Sequence, residues 1–202
     1  KRVFRRELKH DYYKVTSSVS GKNLLDNTAN ILKNDFTVVV YNFIDMLSHA
    51  RTEMEVLKEL ASDEKAYRSL TRSWFLHSPL YQFLQKISES KVQLFIGTDH
   101  GTVRVKDPIK VVGDRETTTN LRYKVGKNLQ YDRKEILEIK EPQKVGLPRP
   151  NVSSTFIFAK SHSYILYPNN YSYYLNYFKN TFQHGGISME EMICPIIRLS
   201  SK

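Results

Sequence analysis

Two runs of apolar and β-branched residues, Phe36-Thr-Val-Val-Val-Tyr41 and Val92-Gln-Leu-Phe-Ile96, flank a long stretch with helical periodicity. Such runs suit strands buried on both faces, and a strand, helix, strand order within one sheet closes almost always by a right-handed crossover. The order predicts a βαβ unit, a parallel sheet and an α/β fold. Between the two strands, Asp45 to Leu60 is polar enough to read as a loop running into a helix. From Asp63 to His77, Ala66, Tyr67, Leu70 and Trp74 recur at helical spacing behind Ser62 and Asp63, a fitting N-cap pair. Ser78-Pro79 interrupts that helix, because the residue before a proline avoids the α region. Pro79 then opens a second helix whose inner stripe is Leu80, Phe83, Leu84 and Ile87.

Beyond the second strand, Thr102 to Tyr131 alternates short β-prone runs with Gly113, Gly126 and Asn128, which predicts hairpins or loops. Gly146-Leu-Pro-Arg-Pro150 reads as a rigid loop. Two strands are expected at Thr155-Phe-Ile-Phe158 and Tyr164-Ile-Leu-Tyr167, with His162 in a hairpin turn between them. An aromatic-rich helix is expected from Tyr173 to Phe182, ended by Gly185-Gly186. Ser188-Met-Glu-Glu191 has the form of a capping box opening a short helix, and Ile196-Ile-Arg-Leu199 closes as a strand. No internal repeat and no linker divides the 202 residues.

A chain with 40% hydrophobic, 26% charged and 12% aromatic residues can bury a substantial core, which excludes a disordered tail. No window reaches the roughly 18 consecutive apolar residues of a membrane-spanning helix. One cysteine, Cys194, closes no internal disulfide and builds no Cys-based zinc site, in keeping with a reducing compartment such as the cytoplasm. Lys and Arg number 31 against 21 Asp and Glu, a formal charge of +10 that attracts polyanions: nucleic acid, nucleotides or an acidic membrane surface. The excess concentrates in Lys1 to Lys14, with six basic and two acidic residues, and in Gly101 to Pro150, with twelve and seven.

Three clusters sit where strands or helices end, the places where an α/β protein gathers ligand-binding side chains. Asp45-Met-Leu-Ser-His49, if helical, sets a carboxylate and an imidazole on one face, able to share a metal; an N-cap Asp with a surface His fits the same spacing. Asp99-His100 follows an apolar strand between Gly97 and Gly101, a position where a divalent cation would offset desolvation and where a simple turn would also serve. His184-Gly-Gly is either a helix terminus or a further ligand. Together these carboxylates and imidazoles make a mixed N/O donor set suited to zinc, with enough ligands for two ions. His77, His162 and His10 fit structural roles, and the aromatic cluster from Tyr164 to Phe182 suits core packing or base stacking.

The ordered set Asp45-x-x-x-His49, Thr98-Asp-His-Gly101 and His184-Gly-Gly186 resembles the metal-ligand pattern of the alkaline-phosphatase superfamily. Thr181-Phe-Gln-His-Gly-Gly-Ile-Ser-Met-Glu-Glu-Met-Ile-Cys-Pro195 is similar to the close of the PglZ domain. With Asn42-Phe-Ile-Asp-Met-Leu-Ser-His-Ala50 and Tyr167-Pro-Asn-Asn170, the whole chain resembles the C-terminal part of PorX-type response regulators of the type IX secretion system. The resemblance implies an alkaline-phosphatase-like α/β fold, mostly parallel sheet flanked by helices with hairpin and loop insertions, of which residues 1–202 form the C-terminal part. It implies one zinc ion on Asp45, His49 and His184 and a second on Asp99 and His100. It implies hydrolysis of a phosphodiester, such as a short or cyclic oligonucleotide. The nucleophilic Thr or Ser and the receiver domain are expected ahead of residue 1, so this chain is expected to hold one zinc or none and to be inactive alone. Secretion-machinery and sigma-factor proteins are the implied partners, and a homodimer is allowed. The competing expectation is a non-catalytic regulatory module that holds a partner protein or nucleic acid on its basic and aromatic surface.

Overall fold

The computed structural model describes residues 7–114 and 117–200; most of the basic excess before Lys14 lies outside them. The chain forms two compact units, one of Lys1–Ile96 with Ile197–Lys202 and one of Gly97–Ile196. The first begins with β1 (His10–Val15), α1 (Ser18–Asp26), α2 (Thr28–Ile31) and β2 (Phe36–Tyr41). It continues through α3 (Phe43–Glu53), α4 (Glu55–Leu60), α5 (Glu64–His77), α6 (Pro79–Ser88) and β3 (Gln93–Gly97). The second holds β4 (Val103–Arg104), β5 (Asp107–Lys110), β6 (Tyr123–Gly126), β7 (Ile136–Ile139), β8 (Thr155–Ala159) and β9 (Ser163–Leu166). After these come α7 (Tyr171–Phe178), β10 (Phe182–Gln183) and α8 (Met189–Met192), and β11 (Ile196–Ser200) returns to pair with β3.

The α/β class holds, with small parallel and antiparallel sheets in place of one wide sheet. In the first unit β1 and β2 run parallel from His10↔Phe36 to Val15↔Tyr41. The expected βαβ pairing of residues 36–41 with 92–96 does not form: β2 pairs with β1, and β3 with β11. Nor is either strand buried on both faces. Val39 and Tyr41 of β2, Val92 just before β3 and Leu94 within it pack against a core of Val15, Leu24, Ile31, Phe83 and Ile87, while Phe36 (58% exposed) and Phe95 (60%) face outward. The run of apolar residues concealed a period of two.

The helices between them follow local rules. Asp63 caps α5 by accepting from the Ala66 amide at 2.8 Å, and Ser78 caps α6 by accepting from the Tyr81 amide at 3.2 Å, with Pro79 at its first position. The stretch expected as a loop from Asp45 is helical from Phe43, because tertiary contacts fix it. Phe43 stacks on Trp74 with ring centroids 3.5 Å apart, Ser48 and Tyr67 share a hydroxyl hydrogen bond of 2.7 Å, and buried Arg51 donates to the Ala61 carbonyl at 2.5 Å.

In the second unit β9 is the strand buried on both faces. Ile165 joins Ile109, Val111, Ile136, Ile157 and Ala159 in one core; Tyr164 and Leu166 join Val103 and Val105 in another, covered by Leu175 and Phe178 of α7. β5 pairs with β9 in parallel, and β8 lies between β6 and β7 in an antiparallel sheet. The stretch from Thr102 to Tyr131, expected as hairpins or loops, holds one antiparallel bridge, Val112 with Gln130, while β4, β5 and β6 pair with strands distant in sequence. β8 and β9, expected to flank a hairpin turn, join different sheets, and His162 contacts the Arg104 carbonyl through Nδ1 at 3.1 Å. The aromatic helix ends at Phe178, before Gly185-Gly186; Lys179 caps it and Asn180 takes the left-handed conformation, leaving Phe182 to β10. Among the described residues no helix is long and apolar enough to cross a membrane.

Candidate functional site

In the first unit, α3 begins directly after the parallel pair. Its N-cap is Asn42, so Asp45 lies inside the first turn, where the helix dipole favours a carboxylate, and it does not cap the helix. His49 follows one turn later on the same face, with Nε2 3.5 Å from Asp45 Oδ1. Leu47 and Arg51, on the opposite face of α3, and Ser48 and Thr52 on its flank are all buried and anchor the helix. The expected pair thus exists as a carboxylate and an imidazole presented side by side from an anchored helix.

In the second unit three more expected residues come together. Thr98 Oγ1 donates to the His100 carbonyl at 2.8 Å and closes the turn after β3. His100 Nδ1 donates to the Gly101 carbonyl at 3.1 Å, which leaves Nε2 as the ring's lone-pair atom, 3.8 Å from Asp99 Oδ1. Across from this turn, β10 pairs with β4 and delivers His184, whose imidazole stacks on that of His100 at 4.0 Å between centroids and 11° between planes. Asp99, almost fully exposed, and two half-buried imidazoles therefore share one place.

Two side chains that sequence reasoning did not single out for this role hold the two loops. Arg122 and Glu191 form a buried bidentate pair, Nε to Oε1 at 2.9 Å and Nη2 to Oε2 at 2.7 Å. Arg122 also donates to the Ser163 carbonyl and, at 3.0 Å, to that of Ser161. Glu191 accepts from the Gly186 amide at 2.8 Å and the Ser188 amide at 3.1 Å, while its own carbonyl accepts from the Gly101 amide at 2.9 Å. One residue of α8 thus binds the loop after His184 and the loop after His100. The capping-box pattern pointed to Glu191 as a local cap; its partner Arg122, distant in sequence, left no local signal. Burial by itself pushes the Glu191 carboxyl up, but the Arg122 hydrogen bonds and charge, helped by the Gly186 amide, hold it below the usual range.

The glycines here are required by space. A Cβ on Gly101 would lie 1.9 Å from the Glu190 carbonyl oxygen, and one on Gly186 2.7 Å from Glu191 Oε2. Gly185 has φ +102°, which side chains rarely adopt. The bland readings of the other histidines stand: His77 Nδ1 contacts the Ser73 carbonyl at 2.8 Å within α5, and His10 Nδ1 that of Leu8 at 2.9 Å.

Set beside known families, residues 2–199 match the family model PglZ, described as the BREX system PglZ alkaline phosphatase-like domain. No curated protein matches the chain.

Proposed function

The chain belongs to the PglZ family of alkaline phosphatase-like domains, and from that membership we propose that it supplies metal-binding residues of a zinc-dependent phosphodiesterase. In this reading Asp45, His49 and His184 hold one ion and Asp99 and His100 a second, and the substrate is a short or cyclic oligonucleotide. The domain acts as the effector of a PorX-type response regulator, with secretion-machinery and sigma-factor proteins as partners.

The observation that carries the reading is the state of His100. Its Nδ1–H is committed to a backbone carbonyl, the arrangement that orients a metal-binding histidine and fixes Nε2 as the donor atom. The donor set is right in kind as well, since imidazole nitrogen and carboxylate oxygen suit zinc, and the Asp45–His49 pair is preformed on a helix. Bound zinc would lower the pKa of an attacking oxygen and neutralise charge developing at phosphorus. The chain's own part is positional. Glu191 and Arg122 fix the two histidine loops, α3 presents Asp45 and His49 without a flexible stem, and the +10 charge draws an anionic substrate.

The test is zinc content by elemental analysis after purification without added metal, with Asp45→Ala and His184→Ala alongside. Stoichiometric zinc that falls in both variants is the expected result. Zinc-free wild type after dialysis against zinc, or zinc indifferent to both substitutions, rejects the ligand assignment. Salt-sensitive oligonucleotide binding that survives a chelator would then favour the non-catalytic module.

A further inference from the structure

The sheet of β6, β8 and β7 carries an aromatic face next to His184. The β6–β8 register sets Tyr123 opposite Phe158 and Val125 opposite Phe156, so these four share a face, while Lys124 and Ile157 turn to the other and are buried. A cavity of about 320 Å³ lies over that face, lined by Tyr123, Val125 and Phe156 together with Pro148 and Pro150. Asp114 and Asn151 bring a carboxylate and a carboxamide to its wall. Tyr123 is also the side chain against the residue after His184: a Cβ on Gly185 would lie 3.2 Å from its Cδ1. Within one unit, Tyr123 therefore both lines the cavity and packs against the residue that follows His184.

We propose that this cavity binds a nucleobase, the base of the nucleotide whose phosphodiester lies at His100 and His184; its link to a substrate rests on the function proposed above. The volume sits at the lower end of small-molecule sites, enough for one base with its sugar and too little for a dinucleotide. The half-buried Tyr123 ring, backed by buried Phe156, offers a surface to the π-face of any base, and stacking of this kind is worth about 1–3 kcal/mol per base. The carboxylate accepts from an exocyclic amine or ring N–H, and the carboxamide both donates and accepts, so base edges find partners that an apolar peptide side chain would leave desolvated. The surrounding segment, residues 101–150, carries twelve basic and seven acidic residues and favours the anionic backbone that would leave the cavity toward the histidines.

The experiment is calorimetric titration of the full chain with adenosine and, separately, with ribose, in the presence of EDTA. Neither probe carries a phosphate, so base recognition is read apart from any metal. Adenosine is expected to bind saturably and ribose not to. Tyr123→Leu should weaken adenosine by about fivefold or more, and Tyr123→Phe should retain it. Should Tyr123→Leu fail to fold, Asn151→Ala on the exposed loop is expected to weaken adenosine as well. Absence of saturable adenosine binding, equal binding of ribose, or indifference to these substitutions overturns the proposal. The zinc analysis fails or succeeds independently: adenosine binding that depends on Tyr123 in a chain that takes up no zinc keeps the nucleobase site and rejects the hydrolase.

Discussion

Glu191 grips Arg122 with both carboxylate oxygens and uses the same two oxygens to hold the amides of Gly186 and Ser188. Because the two side chains are 0% and 2% exposed, neither charge can fall back on water if its partner is removed. Arg122→Met should cost about 3–5 kcal/mol in denaturant unfolding, and Glu191→Leu a similar amount. The double variant should lose less than the sum, since it leaves no orphaned charge. Single losses below about 1 kcal/mol would mean that the loops are held by something else.

Acid should act through the same pair. The Glu191 carboxyl is held below its usual value in the fold, so its contribution is complete above the ordinary carboxylate range near pH 4.5 and is lost as pH falls through the folded value. Unfolding free energy measured downward from pH 5 should drop more steeply in the wild type than in Glu191→Gln.

Lys124 gives the opposite slope at the basic end. Burial pushes its amine down from 10.5 to about 8, and its Nζ lies 4.3 Å from the centre of the Tyr167 ring. Between those two values the unfolded chain carries a proton that the folded chain does not, so stability should rise with pH across that window. Burial of Tyr131 and Tyr164 pushes both phenols up to about 12, which makes their contribution decline once pH exceeds 10. Lys124→Met should flatten the rise from pH 8 to 10 and, at pH 7, should stabilise the fold by on the order of 1 kcal/mol. An unchanged pH profile in Lys124→Met would place the slope elsewhere.

Gly101 and Gly186 differ from ordinary loop glycines in what surrounds them. Alanine at 101 must displace a backbone carbonyl, and Gly101→Ala should lower the melting temperature by several degrees, on the order of 2 kcal/mol or more. Gly146 has nothing within 4 Å of where a Cβ would sit, although its φ of +77° strains any side chain, so Gly146→Ala should cost only about 1 kcal/mol. A Gly101→Ala melt equal to that of Gly146→Ala would contradict the close approach.

Zinc should stabilise the chain if its ligands lie where proposed. At a hundredfold excess over its Kd the ion should add about 2.7 kcal/mol to the unfolding free energy. His100→Ala should lose part of that gain while keeping its zinc-free stability. A zinc-induced shift of full size in both His100→Ala and His49→Ala would point to adventitious binding.

Sequence patterns reached the helices whose signals are local. Asp63, Ser78-Pro79 and the Ser188-to-Glu191 capping box each mark an end with a side chain that bonds within a few residues. They misjudged the sheets, because a strand's partner is chosen by burial across the fold: Phe36 to Tyr41 reads as apolar throughout, yet Phe36 and Val38 face outward and β9 is the strand enclosed on both faces. The site behaved likewise. The pairs Asp45–His49 and Asp99–His100 were legible because their members are close in sequence, whereas the stacking of His100 on His184 joins residues far apart in the chain and left no local signal. Arg122, Lys124 and the Tyr123 cavity were invisible, since nothing near them in sequence announces what they touch.

The return of β11 to β3 sets the order in which the protein can finish folding. The first unit takes its last strand from residues that follow the whole of the second, so on the ribosome β3 waits with a free edge while about a hundred residues are made. Helices α1 to α6 can gather early, but the sheet that receives β11 is completed only once Ile196–Ser200 has been made, and a chain stopped before Ile196 leaves that edge open to strands from other molecules.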